Sequence, residues 1–171
     1  TSAGCNARGV LQWVAAALAM LSKRDGFTPQ ERTLGIVGVG NVGSRVAELG
    51  EMLGFEVLRC DPKLKDGCSL DYLLKNSDIV TMHTWLDSKT RGMADADFFA
   101  KMKDGARLIN ISRGAVVNTE AMYNALVSGK LAHAAMDVTD PEPLPGDHKL
   151  LTLPNVTVTP HIASATTETR D

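Results

Sequence analysis

Three ionisable residues stand where side chains commonly do chemistry. Arg113 lies in NISRGAVVN, between a short apolar run and a helical pattern, and His161 lies in TPHIAS after the last apolar run. Glu142 lies in DPEP, in the loop that follows the preceding run. A guanidinium can hold a carboxylate and polarise the carbonyl beside it, and an imidazole can give or take the proton of an alcohol. A carboxylate next to an imidazole favours its protonated form. The set therefore suits hydride transfer between nicotinamide and a small 2-hydroxy or 2-keto acid. Arg113 would anchor the substrate, His161 would act as acid and base, and Glu142 would support it. Singly, each has a plainer reading, as a surface ion pair or a loop residue. Their shared position after strands argues for more.

Such chemistry needs a cofactor, and a second group of residues suits one. Gly38, Gly40 and Gly43 form GxGxxG between a short apolar run and a helical pattern. In that context the first glycine permits a tight turn, the second lets backbone approach a pyrophosphate, and the third lets the helix pack closely. The amides that open the helix, at Asn41, Val42 and Gly43, would then face the phosphates. Asp61 follows the next apolar run, where a carboxylate would accept from the adenosine ribose and repel a 2′-phosphate. The cofactor expected is thus NAD. Arg59, two places earlier, is expected to point elsewhere on the sheet. His83 ends another run and is expected to line the cofactor. His133 and His148 read as structural or solvent-exposed, and Lys23, Arg24 and Asp25 as solvated charge.

Elements must hold these residues at one edge. The pattern predicts strands over Leu34 to Val39, Phe55 to Cys60, Ile79 to His83, Ala106 to Ile111, Leu131 to Val138 and Val156 to Thr159. Between them it predicts helices over Val42 to Leu53, around Leu70 to Lys75, around Ala96 to Met102, and over Glu120 to Val127. Six strands alternating with helices imply an α/β fold, a doubly wound parallel sheet covered on both faces, with ligands at its carboxyl edge. Ahead of it, Arg8 to Leu21 reads as a helix too apolar for an exposed arm. Residues 1–32 are therefore taken as an N-terminal helix and linker packing on the core or on a dimer partner, and 33–171 as the nucleotide-binding domain. A symmetric homodimer is expected, in which the helix covers the neighbouring chain.

Composition narrows the function classes. A formal net charge of -2 offers no broad attraction to nucleic acid or to an anionic membrane, and the apolar run at Val10 to Leu21 is too short to span one. Partners should be small molecules or other protein chains. Cys5, Cys60 and Cys68 are odd in number and form no CxxC pair, so no disulfide framework or zinc site is suggested, and the cytoplasm is the expected compartment.

With GVGNVG, the CDP strand end, NISRGAVVN, MDVTDPEP and TPHIASAT in this order, the chain resembles the D-isomer-specific 2-hydroxyacid dehydrogenase family from about Gly4 to Thr167. Its two halves resemble different branches of that family. The resemblance implies Arg113 as the substrate-binding arginine and Glu142 with His161 as the catalytic pair. It further implies that Asp137 addresses the nicotinamide end and that Thr84 and Thr90 border the cofactor. Ile111, second in the arginine motif, is also expected among the cofactor-binding positions. Trp85 stands where the family often has proline, Ala163 where it often has glycine, and His133 where it often has a small residue. Family members carry a separate substrate domain that this sequence lacks, so the chain by itself is expected to be inactive. The alternative is a non-catalytic NAD-sensing or dimerisation module of the same fold.

Overall fold

The computed structural model describes residues 3–163. The last residues of the TPHIASAT motif lie outside that range. Six strands, β1 (Thr33–Val37), β2 (Glu56–Cys60), β3 (Ile79–Met82), β4 (Ala106–Asn110), β5 (Leu131–Met136) and β6 (Val156–Val158), form one sheet in the order β2-β1-β3-β4-β5-β6. Every neighbouring pair is parallel. Except for β2, which ends with its run at Cys60, the strands end one or two residues earlier than their apolar runs do, and the released residues form the loops at the carboxyl edge. Helices α1 (Ala3–Asp25), α2 (Asn41–Leu53), α3 (Leu70–Asn76), α4 (Ala96–Lys101) and α5 (Thr119–Ser128) supply the cover, while β5 and β6 are joined by a loop with a single 3-10 turn at Lys149–Thr152.

Because successive strand residues point to opposite faces, one strand feeds two cores. Leu34, Ile36, Ile79, Ile109 and Ala135 face α1 and α2, where they meet Val10, Val14, Leu18, Leu21, Val46 and Ala47. Val37, Val80, Met82, Leu108, Ala134 and Met136 face the other way, onto Leu73, Leu74, Phe98, Phe99, Met122 and Leu126 of α3, α4 and α5. Burial on both faces explains why the strands read as unbroken apolar runs.

Helix α1 lies on the sheet of its own chain. Near its middle, Trp13 Nε1 donates to Thr159 Oγ1 at 2.9 Å. At its C-terminal end, Arg24 hydrogen-bonds His133 Nδ1 and Asp25 pairs with Arg107 at 2.5 Å. Solvated charge is therefore the wrong description of Arg24 and Asp25, because each fastens the helix to a strand. His133 is buried, with Nε2 at 2.8 Å from Thr157 Oγ1, and is structural as expected. His148 accepts from Leu150 N–H and caps the 3-10 turn. Among the described residues, no helix is long and apolar enough to cross a membrane, and no cluster of three or more metal-ligating side chains occurs.

Candidate cofactor and catalytic site

The loop between β1 and α2 is built from three glycines for three separate reasons. Gly38 takes φ +91°, and a Cβ there would sit 2.7 Å from the backbone of His83. At Gly43 a Cβ would sit 1.9 Å from the Gly38 carbonyl oxygen, so the helix reaches the loop only without a side chain. Nothing of the protein lies within 4 Å of a Cβ at Gly40, which faces open space. Helices α3, α4 and α5 begin with side-chain caps from Ser69, Asp95 and Asn118. Helix α2 begins at Gly40 with no side-chain cap, which leaves the first-turn amides of Asn41, Val42 and Gly43 for another acceptor.

Asp61 stands beside this loop. Its carboxylate accepts from Val39 N–H at 2.8 Å and Lys63 N–H at 2.9 Å, and these two backbone bonds hold its pKa below the usual carboxylate range. It stays ionised and braces the glycine loop, with carboxylate lone pairs left over. Arg59 is turned away to Glu51, 2.6 Å distant, as its place in the strand predicted.

On the other flank of β1, His83 N–H donates to the Val37 carbonyl at 2.7 Å, and its Nε2 lies 2.8 Å from Thr81 Oγ1. The residue keeps some exposed surface, yet Nδ1 is shut from water and has no partner among the described residues. Burial pushes the imidazole down to about 3, so it is neutral at physiological pH. Thr84 Oγ1 is likewise buried and unpartnered. Buried polar atoms rarely stay unpaired in a finished structure. The uncapped amides, the open approach at Gly40, the anionic Asp61 and these two orphaned atoms all fit a bound dinucleotide. Thr90 differs. Its hydroxyl donates to the Trp85 carbonyl at 2.5 Å and accepts from Asp87 N–H at 2.9 Å, which makes it a brace for the loop. Ile111 packs its side chain against the core on the α1 face.

Farther along the same carboxyl edge, His161 Nδ1 lies 3.2 Å and 3.3 Å from the two oxygens of Glu142. Both side chains are more than a third exposed. His161 adopts φ +54°, in the left-handed region that few side chains other than glycine enter. Asp137 holds it there. This buried carboxylate accepts from Thr159 Oγ1, from Ile162 N–H at 2.8 Å and from Ala163 N–H at 2.7 Å, pinning the chain on both sides of the histidine. In this structure Asp137 thus spends its oxygens on the histidine turn. Since Trp13 donates to Thr159, a continuous hydrogen-bonded path runs from α1 to that turn.

Arg113 is exposed on the loop after β4, with Nη1 donating to the Ser112 carbonyl at 2.8 Å. The buried Asn110 shapes that loop. Its side-chain oxygen accepts from Ser112 N–H and Oγ, and its amide donates to the Arg113 carbonyl at 3.1 Å. Gly114 lets the loop touch the next one, since a Cβ there would lie 2.0 Å from the Thr139 oxygen. The structure thus joins Glu142 to His161. Among the described residues no hydrogen bond or ion pair ties Arg113 to either, and it stands on the adjoining loop. Trp13, Asn110, Gly114 and Thr159 escaped the sequence reading. Only Asn110 and Gly114 carried a signal, by flanking the arginine in NISRG.

Comparison with known proteins identifies the family. Residues 9–163 match the model of the D-isomer specific 2-hydroxyacid dehydrogenase, NAD binding domain. The erythronate-4-phosphate dehydrogenase of Photorhabdus laumondii is 42% identical over 96% of this chain, which spans 46% of that protein's length. The structure of D-lactate dehydrogenase from Aquifex aeolicus complexed with NAD and lactic acid superposes with a TM-score of 0.85 at 30% identity, over 98% of this chain and 63% of that one. A D-isomer specific 2-hydroxyacid dehydrogenase from Xanthobacter autotrophicus, in complex with NADPH and MES, superposes at 0.83 with 31% identity, over 94% of this chain and 77% of that one. With the family model matching residues 9–163 and the fold shared over nearly the whole chain, the protein belongs to the D-isomer specific 2-hydroxyacid dehydrogenase family as its NAD-binding domain.

Proposed function

We propose that this chain is the cofactor-binding part of an NAD-dependent dehydrogenase that moves a hydride between nicotinamide and a small 2-hydroxy or 2-keto acid. The observation that carries the reading is the His161–Glu142 pair, on the same sheet edge as the glycine loop. A dinucleotide held by the glycine turn and Asp61 would supply the nicotinamide that takes up the hydride of the substrate carbinol carbon. His161 takes the hydroxyl proton at Nε2 as the carbonyl forms, because Nδ1 is engaged with Glu142, and returns it in the reverse direction. Glu142 offsets the positive charge that His161 gains. Arg113 binds the substrate carboxylate and polarises the reacting oxygen. Asp61, beside the ribose, favours NAD over NADP.

Erythronate 4-phosphate is the first substrate to assay, because a 42% identical relative carries that name. In an enzyme containing this chain, His161→Ala is expected to lower the rate of hydride transfer by about 10²- to 10⁴-fold with NADH affinity unchanged. An unaltered rate would remove the acid/base role. Calorimetry with NADH and NADPH tests the cofactor, and equal affinities would remove the role given to Asp61.

We also propose a homodimer in a reducing compartment such as the cytoplasm. Helix α1 buries Val14, Leu18 and Leu21 on its own sheet, which leaves an outer face with Ala15, Ala16 and Ala19 beside the half-buried Leu11 and Met20. The small residues of that face, flanked by the exposed Gln12 and Lys23, would let a second copy approach closely, and sedimentation as a monomer at micromolar concentration would refute the dimer. Among the described residues Cys60 and Cys68 are unpaired, and burial raises both thiol pKa values, which suits thiols that stay reduced and inert.

A further inference from the structure

The loop leaving β3 carries one large side chain that packing does not explain. Trp85 is 84% exposed. Its backbone is nevertheless fixed: Thr90 Oγ1 donates to its carbonyl at 2.5 Å, and Asp87 Oδ1 accepts the amides of Lys89 and Thr90 at 2.8 and 2.9 Å. A rigid loop holding an indole in water is arranged to meet something apolar and flat.

Register says where that meeting takes place. Val37 pairs with Cys60 on one side and with Met82 on the other, so the three strands end level. Asp61 leaves on one flank of β1 and His83, Thr84 and Trp85 leave on the other, with the glycine turn between. The two flanks stand two strand spacings apart, about 10 Å, a gap that a purine nucleoside spans. Thr84 N would lie 2.9 Å from a Cβ at Gly38, so the segment carrying the indole adjoins the turn directly. In the same segment His83 Nδ1 and Thr84 Oγ1 are buried without partners among the described residues, a second sign that this flank is completed by a ligand.

We propose that Trp85 stacks on the adenine of the bound dinucleotide, walling the adenosine half of the cleft opposite Asp61. This rests on the cofactor-binding reading above. It assigns the indole a binding role at a place where the sequence departs from its family's usual proline.

The chain has two tryptophans, and the other, Trp13, is hydrogen-bonded at the histidine turn. Fluorescence of the Trp13→Phe protein therefore reports Trp85 alone, and ADP-ribose, which lacks nicotinamide, probes the adenosine half alone. ADP-ribose is expected to quench that emission. Calorimetry is expected to show Trp85→Ala weakening both NADH and ADP-ribose by roughly 5- to 150-fold, the range over which base–aromatic stacking acts. Trp85→Phe should restore most of the affinity, and reduced nicotinamide mononucleotide should bind wild type and Trp85→Ala alike. If Trp85→Ala binds ADP-ribose as wild type does, or if its loss is confined to the mononucleotide, the stacking role is overturned while the cofactor reading stands. If the wild type binds neither NADH nor ADP-ribose, both fall together.

Discussion

Exchanging Gly40 and Gly43 for alanine, one at a time, should separate binding from stability within a single motif. At Gly43 the new methyl would sit 1.9 Å from the Gly38 carbonyl oxygen, more than an ångström inside ordinary contact. The obstacle is backbone, so no rotamer relieves it, and either α2 or the turn must move. Overpacking of that kind costs about 1–3 kcal/mol, against which alanine regains up to about 1 kcal/mol of helix propensity. With that offset in full the net loss reaches about 2 kcal/mol, which corresponds to a fall in Tm of up to roughly 4–8 °C for a domain of this size. At Gly40 the methyl meets nothing within 4 Å, and the residue already has φ −85°, so stability should change by less than about 1 kcal/mol. The same methyl would occupy the space through which a pyrophosphate reaches the first-turn amides. Gly40→Ala should therefore keep its Tm within about 3 °C and lose at least tenfold in NADH affinity, whereas Gly43→Ala loses both. Differential scanning calorimetry and isothermal titration read the two quantities independently. The reasoning fails if Gly40→Ala binds NADH like the wild type, or if Gly43→Ala melts at the wild-type temperature.

Other substitutions probe the remaining links. Burial lowers the His83 pKa to about 3 from an ordinary 6.5, so the unfolded chain binds the proton first between those values. Stability should be full above pH 6.5 and drop by about 2 kcal/mol by pH 5, and His83→Gln should flatten that slope in urea titrations; an unchanged slope would mean that the ring is not shut from water. Asp137→Asn leaves the Ile162 and Ala163 amides without two carboxylate acceptors, so the turn holding φ +54° at His161 should loosen. Hydride transfer should slow at least tenfold and amide exchange at Ile162 and Ala163 should quicken; unchanged exchange would sink the positioning role. Leu21 is fully buried between α1 and the sheet, and Leu21→Ala should cost about 2–5 kcal/mol in urea unfolding, whereas an exposed arm would lose almost nothing.

The local elements and the glycine turn were legible in the sequence because each has a short-range cause. Six apolar runs bounded by helical patterns can be buried only as a parallel sheet covered on both faces, and β1 to β6 lie within a residue or two of those runs. The spacing of Gly38, Gly40 and Gly43 states a backbone requirement that holds before the rest of the chain is placed. Residues whose roles depend on partners far along the chain could not be read this way. Arg24 and Asp25 look like surface charge until β4 and β5 bring Arg107 and His133 beneath them. Trp13 and Thr159 are 146 positions apart, and nothing local in either tells that they meet under the turn of His161. Thr90 differs, since the loop itself turns its hydroxyl onto Trp85 and Asp87, five and three residues away. Backbone conformation and side-chain periodicity are properties of neighbours in sequence, whereas hydrogen-bond partners and burial are set by which strand lies beside which. The sequence thus determined the sheet, the cofactor turn and the chemical types at its edge, and tertiary structure alone decided that Asp137 clamps the His161 turn and that Trp85 stands uncovered beside the cofactor turn.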